Sequence, residues 1–229
     1  MLALPQGELA RLRPKLELVE LPRGHKLLRP SAPIDYVYFP QECIVSLVLP
    51  LEGESVIEVG LVVVGKEGMV GALAPLGATA MLGEARVGIA GSALRMRAGV
   101  LRTEAGRNRS LMDLLLRYAQ ALFAQVSQSV ACNSRHQLRE RMARWLLMAH
   151  DCIDGDELPL THEFLATMLG VRRAGITVAV GQLREAGLID SRRGRFSILD
   201  RRGLEASACG CYRAVKGQYE RLLSSPQPE

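Results

Sequence analysis

The stretch "LTHEFLATMLGVRRAGITVAVGQLREAGLI", residues 160–189, constrains the fold more than any other part of the chain. Thr161 is suited to cap a helix, and Glu163 puts an acid in its first turn, where the helix dipole favours negative charge. That helix, "HEFLATML", is predicted to end at Gly170, because glycine enters the left-handed region without steric cost. Ala166 lies four residues before Gly170 and Ile176 six after it. A small residue where two axes approach, a glycine in the turn and a branched residue locking the second helix make the layout of a helix-turn-helix. Leu165, Leu169, Val171, Ala179, Val180 and Leu183 fill the other inward positions. The second helix is predicted from about Arg172 to Glu185, stopping at Gly187. Beyond it, "LIDSRRGRFSILD" reads as two short strands joined through Arg193-Gly194, which makes the unit a winged helix-turn-helix.

A helical wheel separates what this second helix buries from what it presents. With Ile176, Ala179, Val180 and Leu183 inward at about 100° per residue, Ala174, Thr177, Val178, Gly181 and Glu185 face outward. Arg173 sits at the flank near the helix start. Small apolar groups are odd on a face meant for water, but alanine or valine can touch thymine methyls in a major groove. An arginine can pair in bidentate fashion with a guanine edge. Arg172 and the wing arginines Arg192, Arg193 and Arg195 suit phosphates, which position a protein without specifying sequence.

Charge is distributed to match. Residues 1–100 carry 10 basic and 10 acidic side chains, so the formal net charge of +5 lies entirely beyond them. Residues 171–203 alone hold eight arginines against Glu185, Asp190 and Asp200. A basic segment on a neutral body is the electrostatic footprint of a nucleic-acid module; double-stranded DNA is the expected partner. The longest apolar stretches, "LVVVG" and "RWLLMA", are far shorter than the ~20 residues of a membrane span. "MLALPQGELARLRPKLEL" has no signal-peptide run. A cytoplasmic protein without membrane contact is expected.

Upstream the pattern is different. "KLELVEL", "IDYVYFP", "CIVSLVLP", "SVIEVGLVVVG", "EARVGIA" and "SALRMR" are short, rich in β-branched or apolar residues and separated by turn signals, among them Glu52-Gly53-Glu54. They predict an antiparallel sandwich, jelly roll or barrel. From Arg109 to Asn133 there is neither proline nor glycine, and Leu111, Leu114, Leu115, Tyr118, Leu122 and Val126 recur three to four apart. That stripe predicts a long helix that pairs with its twin in a homodimer. A further helix is expected over 136–151. Together these make an α+β chain: a β jelly-roll domain over 1–106, a dimerisation helix over 107–134, a winged helix-turn-helix domain over 135–223 and a disordered tail over 224–229.

At this point the chain resembles the Crp/Fnr family of bacterial transcription regulators. The resemblance runs over nearly its whole length and is carried most specifically by "RMARWLLMAHD", by the helix-turn-helix and by "ACGCY" at 208–212. It implies a cyclic-nucleotide-binding-like sensor domain, a homodimer, an operator of near-palindromic sequence and RNA polymerase as a further partner; it names no small-molecule effector. Carried over residue by residue, Arg173 matches a guanine-reading arginine and His162 a position that touches phosphate. Ala174 stands where many members have a base-reading glutamate, and Val178 where some have another arginine. Cyclic-nucleotide-binding members hold the ribose with a Gly-Glu pair; here "GMVGALAPLG" puts Ala72 in the glutamate's place. Arg86 lies near the phosphate arginine's place, between Ala85 and Val87 rather than beside a hydroxyl. Independence of cyclic AMP follows as an expectation, with a cyclic-nucleotide-responsive regulator of atypical pocket as the alternative.

The cysteines point to no cofactor. Five of them, Cys43, Cys132, Cys152, Cys209 and Cys211, are scattered apart from one C-x-C, unlike a secreted disulfide framework. An iron–sulfur cluster needs several closely spaced thiolates. Cys209 and Cys211 supply half a metal site and are read as small packing residues, and no metal is expected. A cupin-like metalloenzyme, the rival with the same strand layout, needs several histidines on its inner strands, and residues 30–100 contain none. No Ser/His/Asp constellation or P-loop appears, so a non-enzyme is expected.

Overall fold

The computed structural model describes Leu4, residues 6–51 and residues 57–223. The turn expected at 52–54 and the tail expected at 224–229 lie outside the described residues. A short helix α1 (Gln6–Leu12) precedes seven strands: β1 (Glu17–Leu21), β2 (Lys26–Leu28), β3 (Tyr36–Pro40), β4 (Ile44–Leu51), β5 (Ile57–Val64), β6 (Glu84–Ile89) and β7 (Gly91–Arg97). They form two antiparallel sheets, ordered β1-β7-β3 and β2-β6-β4-β5. Val37, Phe39, Ala93 and Met96 of the first sheet share one core with Val45, Val62, Val64, Ala85 and Val87 of the second. This is a sandwich, one of the forms that the short apolar segments and their turn signals predict. Strand β2 is too short, at three residues, for a period of two to show.

Helices follow: α2 (Ala98–Arg107), α3 (Arg109–Arg135), α4 (Leu138–Cys152), α5 (His162–Leu169) and α6 (Arg173–Glu185). Asn108 caps α3 by accepting from the Leu111 amide at 3.2 Å. After a two-stranded wing come α7 (Arg201–Ser207) and α8 (Cys211–Leu223). No single helix among the described residues is long and apolar enough to cross a membrane.

The long helix α3 is where the sequence reading needs correction. Leu111, Leu115 and Tyr118 are buried in the sandwich's own core, and Leu114, Leu122 and Val126 pack against it half-buried. The stripe expected to meet a second subunit is thus covered by this one, because the open end of the sandwich and α8 both need an apolar lid. Tyr118 sits over Gly68, where a Cβ would come within 2.4 Å of its hydroxyl, and donates to the Met69 carbonyl at 3.1 Å. The face left uncovered carries Leu116, Phe123 and Val130, which are 46 %, 74 % and 63 % exposed.

Two further features join the sheet domain to the helices that follow it. Helix α8 lies along α3 as well as on the helix-turn-helix unit: Tyr212 joins that unit's apolar cluster, while Tyr219 and Leu223 pack on the sandwich core and the Tyr219 hydroxyl donates to Gln125 Oε1 at 2.7 Å. The helix-turn-helix in turn docks on the outer face of the second sheet. Ile44, Val48, Val63 and Ile89 join one apolar cluster with Leu165, Met168, Ile176 and Phe196. Phe164 fills the space above Gly88, stacks edge-on with Trp145 at 5.6 Å and lies under the Arg23 guanidinium at 5.8 Å.

A Cβ on Gly88 would stand 2.5 Å from Phe164 Cζ, closer than carbon atoms approach, and the ring is held on its other side by Trp145. Gly88→Ala is therefore expected to lower unfolding stability by roughly 1–3 kcal/mol, the usual cost of overpacking, read as a lower denaturant midpoint in urea melts.

Candidate nucleic-acid interface

Three local devices build the helix-turn-helix. Thr161 Oγ1 accepts from the Phe164 amide at 3.2 Å and so caps α5, as its residue type predicts. The same oxygen accepts from Arg23 at 3.1 Å, tying the cap to the sandwich. Gly170 ends α5 in the left-handed region, at φ 62° and ψ 43°. Ile176 and Leu183 are fully enclosed, with Ala179 and Val180 nearly so. Val171, expected inward, is half-buried.

On the opposite side of α6, Arg173, Ala174, Thr177 and Val178 are exposed, Val178 by 62 %. Gln182 and Arg184 join them, two residues the wheel did not single out, while Gly181 is half-buried. Arg172 occupies the cap position before α6 and is exposed as well. Neither Arg172 nor Arg173 has an ion-pair partner among the described residues. His162 stands beside this face: its Nδ1 lies 3.3 Å from Thr177 Oγ1, and its ring packs 5.8 Å from Phe196. Burial, with the Arg173 charge adding to it, lowers the His162 pKa below its ordinary value of 6.5. The imidazole is neutral at pH 7.

The wing consists of β9 (Ile189–Arg192) and β10 (Arg195–Ile198), with β8 (Glu157–Leu158) on the outer side of β10. Its turn residues have φ of 48° at Arg193 and 79° at Gly194, the left-handed pair of a tight two-residue hairpin. Arginine rarely adopts that conformation, and here it projects from the wing tip with no ion-pair partner among the described residues. Arg192 and Arg195 are engaged differently from what the sequence suggests: Arg192 pairs with Asp190 at 2.8 Å and Arg195 with Glu157 at 3.1 Å. Both remain largely exposed, at 82 % and 69 % of the side chain. Such surface pairs contribute about 0–1 kcal/mol, little enough for a phosphate to displace the carboxylate.

The sensor side is apolar where a nucleotide would need polar partners. Ala72 is buried, and so are Met69, Val70 and Ala74 around it. Strand alternation sends Ala85 and Val87 into the sandwich core and Arg86 to the outer face, among Arg23, Ser46, Phe164 and Met168. There Arg86 Nε is 2.5 Å from Glu84, and Lys26 Nζ lies 2.6 Å from the same carboxylate. Burial would raise the Glu84 pKa, but the two cationic partners win and hold it below the usual range. A cavity of about 410 Å³ does lie between the sandwich, α3 and α8; Lys66, Glu67 and Glu220 are its charged lining, and no arginine reaches it.

The structure adds neighbours that the sequence did not assign to two of the cysteines. Cys209 and Cys211 do not stand alone: Cys132 and His136, from the end of α3, lie against them. Cys132 titrates well below an ordinary thiol because it accepts a hydrogen bond from Cys209, with His136 and Arg144 adding to the effect against desolvation. The i, i+4 spacing of Cys132 and His136 was visible in the sequence, but not that α8 returns to it.

Comparison with known proteins agrees with this architecture. Residues 140–207 match the Crp-like helix-turn-helix domain. No curated protein sequence matches the chain. Among solved structures, FixK2 from Bradyrhizobium japonicum is similar with a TM-score of 0.72 at 16 % identity, covering 85 % of this chain and 98 % of that one. A CRP-family transcriptional regulator from Thermus thermophilus gives a TM-score of 0.69 at 20 % identity, with coverage of 83 % and 96 %. A regulator of the Crp/Fnr family from Eubacterium rectale gives 0.67 at 16 %, with 89 % and 94 % covered. The chain therefore has the fold of Crp/Fnr regulators: an N-terminal sheet domain, a long helix and a C-terminal helix-turn-helix.

Proposed function

We propose that the chain is a homodimeric, sequence-specific DNA-binding transcription regulator of the Crp/Fnr type, working in the cytoplasm and not gated by cyclic AMP. The observation that carries this reading is the exposed face of α6. Arg173 stands there without an ion-pair partner, beside the small side chains of Ala174, Thr177 and Val178, on a helix locked from behind by Ile176 and Leu183. A protein gains nothing from presenting Val178 to water, whereas a major groove accepts both the methyl groups and the guanidinium. Arg172, Arg193 and the neutral His162 take phosphates around the groove, with Arg192 and Arg195 joining as their carboxylates are displaced.

The second copy is supplied by the free face of α3. Leu116, Phe123 and Val130 recur every seven residues, with Gln120 and Ser127 between them at the alternating four- and three-residue steps of a coiled-coil seam. Pairing two such helices about a twofold axis would set the two α6 helices about one DNA turn apart, roughly 34 Å. The operator is then a near-palindrome. Bound at a promoter, the dimer has RNA polymerase as its neighbour.

Cyclic-AMP independence rests on the side of the sheet that Arg86 occupies. A phosphate inside the sandwich would meet Ala72, Ala85 and Val87, and an unsatisfied buried charge costs more than any stacking returns.

Three outcomes test the proposal. In competition binding at fixed salt, Arg173→Ala is expected to lose roughly 1–3 kcal/mol on the specific site and little on random DNA. Arg193→Asn, which keeps a residue tolerant of positive φ, should weaken both alike; equal losses from Arg173→Ala on the two DNAs would remove its reading role. Phe123→Glu is expected to turn a dimer into a monomer in light scattering, while Asp113→Asn, at the seam's exposed end, leaves the dimer intact. Calorimetric titration with cyclic AMP should give no heat at micromolar concentrations.

A further inference from the structure

The end of α3 and the start of α8 bring together a set of side chains that the DNA-binding reading does not use. Cys132 and His136 lie one helical turn apart, and Cys209 and Cys211 flank Gly210 just before α8. One ligand atom from each of the four lies within 4.8 Å of the others. Cys132 Sγ is 3.4 Å from Cys209 Sγ, and Cys211 Sγ is 3.5 Å from His136 Nδ1. All three cysteines are buried and reduced, and the histidine is half-buried.

We propose that Cys132, His136, Cys209 and Cys211 form a tetrahedral zinc site that fastens α8 to the end of the long helix. The donor set is the first reason. Three thiolates and one imidazole are a closed zinc sphere, with soft sulfur ligands that exclude magnesium and calcium. Distances are the second. Zinc holds sulfur at about 2.3 Å, so sulfurs at the corners of its tetrahedron stand about 3.8 Å apart. Contacts of 3.4 and 3.5 Å, within an outer limit of 4.8 Å, surround such a point. An iron–sulfur cluster would hold its ligands farther apart, because several irons and sulfides stand between them.

Electrostatics supply a third, independent reason. Arg144 is 8 % exposed, its Nε has no hydrogen-bond partner, and no carboxylate pairs with it among the described residues. It donates a hydrogen bond to Ser129 Oγ at 2.8 Å and lies against the Cys132 sulfur. The Nε of neighbouring Arg141 is buried without a partner too. Buried cations of this kind demand a compensating negative charge. Three thiolates around a divalent zinc leave one net negative charge at the cluster. Gln128 Nε2, 3.0 Å from Cys211 Sγ, adds the hydrogen bond that commonly supports a ligating sulfur.

Binding is written simply: zinc enters, three thiols give up their protons to solvent, and no electron moves. With four protein ligands and no open position, the site is structural rather than catalytic. Its place gives it a consequence. His136 is the residue after α3, and α4 begins at Leu138, so the ion would brace the joint from which the helix-turn-helix hangs.

The full-length chain, purified under reductant and freed of metal by a chelator, is titrated with cobalt(II). Sulfur-to-cobalt charge-transfer absorption and tetrahedral ligand-field bands are expected, saturating at one equivalent per chain and displaced by zinc. Chain isolated without chelator should carry one zinc, and zinc added to the metal-free chain should raise its melting temperature. Cys211→Ser and His136→Ala should each weaken cobalt binding about tenfold or more, whereas Cys152→Ser should keep the bands. Should the variants misfold, the wild-type titration decides alone. Absence of charge-transfer bands in the reduced wild-type chain would overturn the proposal. So would isolation of the metal-free chain with a Cys132–Cys209 disulfide, found by peptide mass. No DNA enters these measurements, so their failure leaves the regulator reading untouched.

Discussion

Every part of the molecule is placed by what surrounds α3. Its 27 residues span roughly 40 Å at ~1.5 Å per residue, and they bury different faces in different partners. Leu111, Leu115 and Tyr118 close the sandwich, Tyr118 by reaching down to the Met69 carbonyl over a glycine that leaves room for its ring. On the next face, Tyr219 of α8 meets the edge of Tyr118 at 6.4 Å and bonds Gln125. The side that remains carries Leu116, Phe123 and Val130. A helix with one apolar stripe can serve one neighbour; this one serves two within the chain and leaves a third apolar face exposed.

That division explains what could and could not be read from the residues in order. The helix-turn-helix depends on neighbours close in sequence: Thr161 caps a helix three residues on, Gly170 turns the chain where it stands, and Arg193-Gly194 closes its own hairpin. Each of those signals is local, so each was legible. The identity of the free face of α3 is not local. Leu111 and Phe123 look alike on a wheel, and only the folded sandwich decides which of them is spent. The return of α8 is hidden for the same reason. Its cysteines meet Cys132 and His136 across more than seventy residues, and no periodicity encodes such an encounter.

The docking of the DNA-binding unit on the sandwich follows a different physical rule. Gly88 faces outward on β6, in line with Arg86 and Glu84, and its missing side chain is the seat of Phe164. Arg23 closes the seat from above, on the ring and on the cap of α5 at once. The outer sheet face, which a free-standing sandwich would give to water, is thereby made part of a core. This arrangement also accounts for Arg86. Paired with Glu84, Arg86 lies on that face among residues of both units and is turned away from the sandwich interior.

Two groups of cations in the helix-turn-helix unit are held by opposite means. On α6 and the wing tip the arginines are exposed, and water solvates their charge. Arg141 and Arg144, on α4, have no such recourse. Arg144 is buried and Arg141 half-buried, bonded to Ser129 Oγ and to the Leu169 carbonyl with no carboxylate among the described residues, and the Cys132 sulfur lies beside Arg144. Protonated thiols would leave the pair uncompensated; Cys132, held below an ordinary thiol beside Arg144, supplies negative charge there. The enclosed arginines and the gathered cysteines therefore account for each other, and both sit where α3 gives way to α4. Any change in the charge of that cluster acts on the two arginines first, and through Arg141, which donates to the last carbonyl of α5, on the helix that carries the turn before α6.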